Sequence, residues 1–260
     1  MTPDSFSGDG CWCDGSKAAR GFELAEKLIE DGADILDIGG ESSRPGSKRI
    51  SAREELKRVI PVIKKIARTY SIPISIDTYK FSVAQGALEA GAVIVNNIKG
   101  IDPDKSLLKI IKRYNAGIVL MHMKGTPRTM QKNIKYTNLM KEITDSLRES
   151  IEICLEIGIN SDKIIIDPGI GFGKTAEHNL EIINRLNDLR ALKRPILIGP
   201  SRKSFIGKVL KNETEDRLIG TAAAVCAGIL NGARIVRVHD VKAIKQAVLM
   251  TDAILNQRVS

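Results

Sequence analysis

Polar and charged side chains end seven short apolar runs of this 260-residue sequence. In chain order they are Asp37 and Glu41, Asp77, Asn96 and Asn97, His122, Asp167, Ser201 with Arg202 and Lys203, and Arg237 with His239. Carboxylates and amides of the middle runs could orient a flat heterocycle, because a carboxylate pairs strongly with an N–H/NH₂ edge. The cations that follow the last two runs could bind phosphate. The sequence therefore predicts a heterocycle site beside an anion site.

Two basic motifs carry the anion site. The segment GPSRKS leads from a strand into a helix, where unpaired backbone N–H groups favour an anion, and it contains Ser201, Arg202, Lys203 and Ser204. The segment RVH places Arg237 and His239 on one face of a strand, since strand side chains alternate between faces. Taken alone, GPSRKS is equally compatible with a solvated basic turn. Phosphate sites after the last two strands are nevertheless common in (β/α)₈ barrels.

A third cationic element, ESSRPG (41–46), carries Ser43 and Arg44 on a loop. Three such elements at one mouth predict a substrate with more than one phosphate. The segment DPGIGFGKT (167–175) approaches the phosphate-binding loop of nucleoside triphosphatases, but Pro168 stands where that motif requires glycine. We therefore reject a nucleoside-triphosphate site and interpret Asp167 as a carboxylate at the mouth.

The elements that must position these residues alternate between short β-branched runs and amphipathic helices. The seven runs span 33–40, 72–78, 92–98, 117–123, 163–170, 195–201 and 233–240. Nearly continuous apolar strands between helices predict a parallel sheet, and polar residues at every carboxyl end are typical of a (β/α)₈ active face. Seven unrelated strand caps are the alternative, and their recurrence argues against it. We predict an α/β fold, with one (β/α)₈ TIM-barrel domain over residues 1–260.

Seven runs leave an eight-stranded barrel one strand short. The chain opens in the polar loop MTPDSFSGDG (1–10), which leads into a helix, so the first strand is expected to be missing from the N-terminus. Helix signals agree with this order. Ser16 is expected to cap the first helix and Gly32 to end it, while Ser51 and Glu54 predict a capping box. Pro61 indicates either a kink or a later start in the second helix.

Composition excludes several classes of protein. The net charge is +9, but aromatic residues make up only 4% of the chain, so stacking platforms for nucleic acid are scarce. No apolar run is long enough to span a membrane, and no secretory signal opens the chain, which predicts a cytoplasmic protein. Cys11 and Cys13 are interpreted as incidental thiols, because no second pair has zinc spacing.

The quoted motifs, taken together, resemble those of the dihydropteroate synthases, which are pterin-binding (β/α)₈ enzymes of folate biosynthesis. The matching segments are TPDSFS (2–7), DIGGESSRPG (37–46), IDTYK (76–80), LMHMKGTP (120–127), DPGIGFGKTAEHN (167–179), GPSRKSFIG (199–207), GTAAA (220–224) and RVHDV (237–241). They follow the family order from end to end of the chain.

This resemblance implies an activity and a set of site residues. The family joins p-aminobenzoate to 6-hydroxymethyl-7,8-dihydropterin diphosphate by an SN1-like route, giving 7,8-dihydropteroate and diphosphate. The pterin is expected at Asp77, Asn96, Asp167 and Lys203, the diphosphate at Ser43, Arg44, Arg237 and His239, and p-aminobenzoate at Phe6, Pro45 and Ser204. Asp77 and Lys203, with Asp4 and Asp9 of the first loop, are the expected catalytic residues. Mg²⁺ is the expected cofactor and a homodimer through the late helices the expected assembly.

Three departures from the family pattern stand in the sequence. The usual Asn two places before Thr2, which helps hold Mg²⁺, would precede Met1, so no metal ligand is expected within the chain. The loop carboxylate Asp9 is displaced by one position, and Asn97 replaces the usual Asp on its strand. Two alternatives stay open: a methyltransferase that uses a reduced pterin, and a pterin-binding protein without catalysis if the shortened N-terminus is real.

Overall fold

The computed structural model describes residues 17–42, 47–101, 105–126, 129–131, 133–211 and 217–258. All seven predicted strands are present in this part of the chain, each inside its expected run. They are β1 (Leu36–Gly39), β2 (Ile74–Asp77), β3 (Ile94–Asn97), β4 (Gly117–Met121), β5 (Ile164–Asp167), β6 (Leu197–Ile198) and β7 (Ile235–Val236).

Every strand pairing is parallel, and the strands follow one another in chain order. Strands β1 to β5 form one sheet, β6 pairs with β7, and an isolated bridge from Ile166 to Ile196 connects the two sets. The register aligns the polar ends, because Asp77 lies opposite Gly39 and Asn96 lies opposite Asp77. This is a (β/α)₈ TIM-barrel fold to which the described residues contribute seven strands. The strand that is expected to be missing would precede Met1, and residues 1–16 lie outside the described residues.

Helices separate the strands. They are α1 (Lys17–Glu30), α2 (Ala52–Thr69), α3 (Phe81–Glu89), α4 (Ser106–Arg113), α5 (Leu139–Ile157), α6 (Ala176–Asn184), α7 (Ser204–Leu210), α8 (Leu218–Leu230) and α9 (Val241–Asn256). Neighbouring helices from α1 to α5 and from α6 to α9 pack side by side, and their apolar faces form one core with the strands. No helix in the described ranges is long and apolar enough to cross a membrane.

The helix signals of the sequence are confirmed in part. Gly32 has φ +96° directly after α1, as a stop residue requires, whereas the cap expected at Ser16 lies outside the described residues. Ser51 accepts a hydrogen bond from the Glu54 N–H at 3.2 Å, which is half of the predicted capping box. The Glu54 carboxylate instead accepts from Arg58 at 3.1 Å, since an (i, i+4) partner is within its reach. Pro61 lies inside α2, which begins at Ala52, so the later start is wrong.

The loop from β5 to α6 lies directly on the backbone that follows β4. Gly169 has φ +71°, and a Cβ built there would lie 1.9 Å from the carbonyl oxygen of His122. The Asp167 carboxylate accepts from the Gly169 N–H at 2.7 Å, so this contact also determines where a site carboxylate points. The loop can approach so closely only because residue 169 has no side chain.

We expect Gly169→Ala to lower the free energy of unfolding by at least about 2 kcal/mol more than Gly100→Ala does. Both positions have positive φ, which costs an alanine roughly 1–2 kcal/mol, but a Cβ at Gly100 would meet nothing within 4 Å. Urea denaturation of both variants measures the difference. Equal losses would show that the loop can move away from β4 at no cost.

Candidate active site

A guanidinium between two carboxylates lies at the centre of the barrel mouth. Arg237, just after β7, donates its Nε–H to Asp37 Oδ2 at 2.6 Å and an Nη–H to Asp77 Oδ2 at 3.2 Å. Burial, with the negative charge of Asp37, raises the pKa of Asp77 to about 7. The Arg237 side chain is 45% exposed, and the two carboxylates hold its pKa above the ordinary value although desolvation acts against the charged form. Arg237, a residue predicted to bind diphosphate, is therefore in direct contact with Asp77, a residue predicted to bind the pterin.

Asn96 joins the same group through Asp37. Its Nδ2 donates to Asp37 Oδ2 at 3.1 Å, and its side chain is buried. The structure thus brings together Asp77, Asn96 and Arg237, three residues predicted from sequence. Asp37, which the sequence interpretation named among the polar residues of its run without giving it a role, joins these residues through its carboxylate. Its neighbour Asn97 instead shapes the following turn, donating to the carbonyl of Gly100 at 2.7 Å.

Asp167 and Lys203 form the second predicted group. Burial raises the pKa of Asp167, while Lys203 and the Gly169 N–H counteract that rise. Burial lowers the pKa of Lys203 to about 8, with Asp167 acting against the decrease. The Lys203 ammonium donates to the carbonyl of Ile170 and lies 4.6 Å from the centre of the Phe172 ring. Lys203 is therefore held over an aromatic face at the mouth, beside an acid of the β5 end.

His239 is oriented by Ser201. Ser201 Oγ accepts from the His239 backbone N–H at 3.2 Å and shares a hydrogen bond with His239 Nδ1 at 2.8 Å. This second bond fixes the imidazole against the β6 end. Arg202, by contrast, donates its Nε–H to Asp240 at 2.8 Å, which ties the turn after β6 to the start of α9. Ser204 is the exposed first residue of α7.

Lys174 is a further buried cation. It belongs to the segment that fails as a phosphate-binding loop, and its Nζ lies 3.0 Å from His122 Nδ1. It also donates to the carbonyls of Phe172 at 3.0 Å and His122 at 3.3 Å. Burial and the Lys174 charge lower the pKa of His122 to about 3, and burial lowers the pKa of Lys174 to about 7. The lysine thus holds the β5–α6 loop against the residue after β4.

Glu41, at the start of the ESSRPG segment, joins the segment before α2 to the segment after β2. It accepts from the Ile50 N–H at 2.9 Å, from the Tyr79 hydroxyl at 2.8 Å and from Lys80 Nζ at 2.6 Å. The same ammonium donates to Glu55, which is 1% exposed, at 2.6 Å. An open cleft extends from these side chains past Asp77 to the apolar side chains of Ile98 and Met123.

Six predicted site residues lie outside the described residues. They are Asp4, Phe6, Asp9, Ser43, Arg44 and Pro45. Their roles stay predictions from the resemblance.

The chain matches a family model and known proteins along most of its length. The family model described as pterin binding enzyme matches residues 1–239. The dihydropteroate synthase of Clostridium beijerinckii is 45% identical over 258 residues, which covers 99% of this chain and 92% of that protein.

Two solved structures extend the comparison. The Yersinia pestis dihydropteroate synthase, in complex with a sulfonamide drug, superposes with a TM-score of 0.91 at 37% identity and covers 98% of this chain and 91% of its own. The Clostridium difficile dihydropteroate synthase, crystallised in the presence of pteroic acid, superposes with a TM-score of 0.86 at 45% identity and covers 93% of this chain and 89% of its own.

We expect Asp77→Asn to stabilise the protein at pH 8 and to lose most of that gain by pH 5. Folding raises the pKa of Asp77 from 3.8 to about 7. The protonated Asp77 side chain therefore stabilises the folded protein fully below pH 3.8, and this contribution is lost as the pH rises through 7. The neutral amide avoids that loss, which is on the order of 4 kcal/mol.

Thermal melting of wild type and variant at both pH values measures this gain. The control is Asp34→Asn, because Asp34 is 81% exposed and pairs with Lys245 at 2.7 Å at the other end of β1. A gain of equal size at pH 5 and pH 8, or the same trend in the control, would contradict the prediction.

Proposed function

The chain belongs to the pterin binding enzyme family, and on that premise we propose that it is a dihydropteroate synthase. It condenses 6-hydroxymethyl-7,8-dihydropterin diphosphate with p-aminobenzoate and releases diphosphate. The observation that carries the proposal is the contact between Arg237 and Asp77, where an anion-binding cation meets a heterocycle-binding acid. The full-length identity to dihydropteroate synthases supports it.

The pterin is placed beside Asp77, which lines the cleft. Asp77, Asn96 and Asp167 offer carboxylate and amide groups to the N–H and NH₂ edges of its ring, and a carboxylate pairs with such an edge in two parallel hydrogen bonds. Lys203 turns its ammonium to the ring carbonyl. The Phe172 ring beneath Lys203 and the side chains of the cleft supply the apolar walls that a flat ring needs.

The reaction separates charge, and the site is charged accordingly. Breaking the C–O bond places negative charge on the diphosphate and positive charge on the pterin methylene. Arg237 and His239 stabilise the first charge and the Asp77 carboxylate stabilises the second, in a mouth where burial strengthens both interactions. The amine of p-aminobenzoate then attacks the cationic carbon and loses a proton. An SN1-like route of this kind requires no general base to activate the amine.

Of the three residues predicted to bind p-aminobenzoate, Ser204 lies in the described part of the chain. Ser204 begins α7, and its hydroxyl and the helix N–H groups suit a carboxylate. Phe6 and Pro45 complete this site on the resemblance. Ser43 and Arg44 would likewise join Arg237 and His239 around the diphosphate, and Asp4 and Asp9 would act from the first loop.

Mg²⁺ is proposed as an ion that accompanies the diphosphate. The described ranges contain no group of three or more His, Cys, Asp or Glu side chains arranged to hold a metal ion. They therefore do not form a protein cage for the ion, and phosphate oxygens and water are the ligands that Mg²⁺ keeps in such sites. A cytoplasmic location stays part of the proposal. Cys154 and Cys226 are free thiols, which fits a reducing compartment.

We expect Lys203→Ala and Arg237→Ala each to reduce turnover at least roughly tenfold, equivalent to about 1.4 kcal/mol. Each removes a charge that faces the substrate. The measurements are dihydropteroate formation and diphosphate release from the two substrates with Mg²⁺. Lys208→Ala, further along α7, and Arg234→Ala, before β7, are exposed-cation controls expected to keep wild-type rates.

Product analysis separates the alternatives. Diphosphate and dihydropteroate formed in equal amounts support the synthase. Binding of pterin and diphosphate without product would identify a pterin-binding protein instead. Methyl transfer from a reduced pterin, without diphosphate release, would identify the methyltransferase. Wild-type rates in either alanine variant would remove that residue from the site.

A homodimer through the late helices is also part of the proposal. Helices α8 and α9 pack on each other and leave several large apolar side chains exposed, namely Ile219, Leu230, Leu249, Met250, Ile254 and Leu255. Met250 and Ile254 are 62% and 60% exposed, one turn apart on α9. Large apolar surfaces of this kind commonly mark an interface with another protein.

We expect the double substitution Met250→Glu with Ile254→Glu to halve the molar mass measured by light scattering, because four like charges would face one another across a two-fold axis. Leu155→Glu on α5, where Leu155 is 41% exposed, is the control and should not change the mass. A monomeric wild type, or a doubly substituted protein that stays dimeric, would refute an interface at this face.

A further inference from the structure

Asp37 connects the two halves of the site through one oxygen atom. Its Oδ2 accepts from Asn96 Nδ2 at 3.1 Å and from Arg237 Nε at 2.6 Å. Asn96 belongs to β3 and Arg237 follows β7, so the two donors come from either side of β1 around the barrel. The proposed function assigns the first donor to the pterin and the second to the diphosphate.

This bonding fixes the orientation of both donors. An amide can present either its oxygen or its nitrogen to a neighbour, and the Asp37 carboxylate accepts only the nitrogen of Asn96. The Asn96 oxygen is thereby turned away from Asp37 and is available to a ligand. Arg237 is held through Nε, which leaves its terminal nitrogens for other acceptors, and one of these bonds Asp77 at 3.2 Å.

Asp37 is poorly suited to a purely structural role. Two donors share its Oδ2, whereas Oδ1 is buried and has no hydrogen-bond partner in the described part of the chain. A buried carboxylate that served stability alone would have both oxygens paired, because an unpaired buried polar atom is costly. The observed bonding instead serves to position the side chains of Asn96 and Arg237.

We propose that Asp37 is a positioning residue that sets Asn96 for the pterin ring and Arg237 for the diphosphate, and so couples recognition of the two parts of one substrate. The identity of these ligands rests on the proposed function. The coupling itself rests on the shared oxygen.

Calorimetry on the full chain tests this with two probes, 6-hydroxymethylpterin and inorganic diphosphate with Mg²⁺. Asp37→Asn is expected to weaken both about tenfold, since an uncharged oxygen holds a guanidinium and an amide less firmly. Arg237→Ala is expected to weaken diphosphate and Asn96→Ala to weaken pterin. A single substitution that affects both probes is the signature of the coupling.

Double variants then separate positioning from any direct contact. If Asp37 acts through Arg237, adding Asp37→Asn to Arg237→Ala causes no further loss of diphosphate affinity. If it acts through Asn96, adding it to Asn96→Ala causes no further loss of pterin affinity. Fully additive losses, or normal affinity for either probe in Asp37→Asn, overturn the proposal.

The controls address folding and function separately. Asp34→Asn breaks the pair with Lys245 just before β1 and should leave both affinities unchanged. Asp37→Ser replaces Asp37→Asn if that variant does not fold, and failure of both to fold assigns Asp37 a structural role and overturns the proposal.

The same measurements distinguish this proposal from the proposed function. Wild-type protein that binds both probes but forms no dihydropteroate overturns the synthase assignment alone, provided that the coupling is observed. Wild-type protein that forms dihydropteroate while Asp37→Asn binds both probes normally overturns the coupling alone. Wild-type protein that binds neither probe overturns both.

Discussion

The charge balance of the barrel mouth depends on one guanidinium. Arg237 lies between Asp37, which lies inside β1, and Asp77, which is the last residue of β2. Burial is the main reason why the pKa of Asp77 reaches about 7, and the nearby charge of Asp37 adds to the rise even with the cation present. An anionic ligand that draws Arg237 away from Asp77 changes the electrostatic potential at the Asp77 carboxylate. Substrate binding and proton affinity are therefore linked at this position.

The site retains charges that burial disfavours. The pKa values of Lys203 and Lys174 are lowered to about 8 and about 7, and burial is the main cause of both decreases. Packing alone would favour apolar side chains at these positions. A heterolytic reaction instead requires fixed charges near the atoms where charge develops, because dipoles and ions already in place need no reorganisation. Reduced stability at the mouth is the expected consequence of such an arrangement.

Much of this geometry could be predicted from the sequence, for a simple reason. Parallel strands in chain order carry their carboxyl ends to one edge, so polar residues after the apolar runs had to meet there. Asp77, Asn96 and Arg237 are confirmed as neighbours on that basis. Which atoms pair could not be predicted, because pairing depends on register and side-chain rotation. Asp37 was visible at its strand end, but nothing in its sequence context shows that one oxygen accepts two donors.

The contacts of the loop from β5 to α6 also could not be predicted from the sequence. Its sequence was informative mainly because Pro168 excluded a nucleotide motif, and that exclusion left Lys174 without a role. In the fold, Gly169 permits the loop to touch the backbone after β4, and Lys174 then bonds the carbonyls on both sides of the contact. Gly169 thus permits the close approach of the two segments, and Lys174 holds them together. Asp167 ends β5 directly before this loop, and the Ile170 carbonyl that accepts from Lys203 belongs to it, so the positions of two site charges depend on a contact that no local sequence pattern encodes.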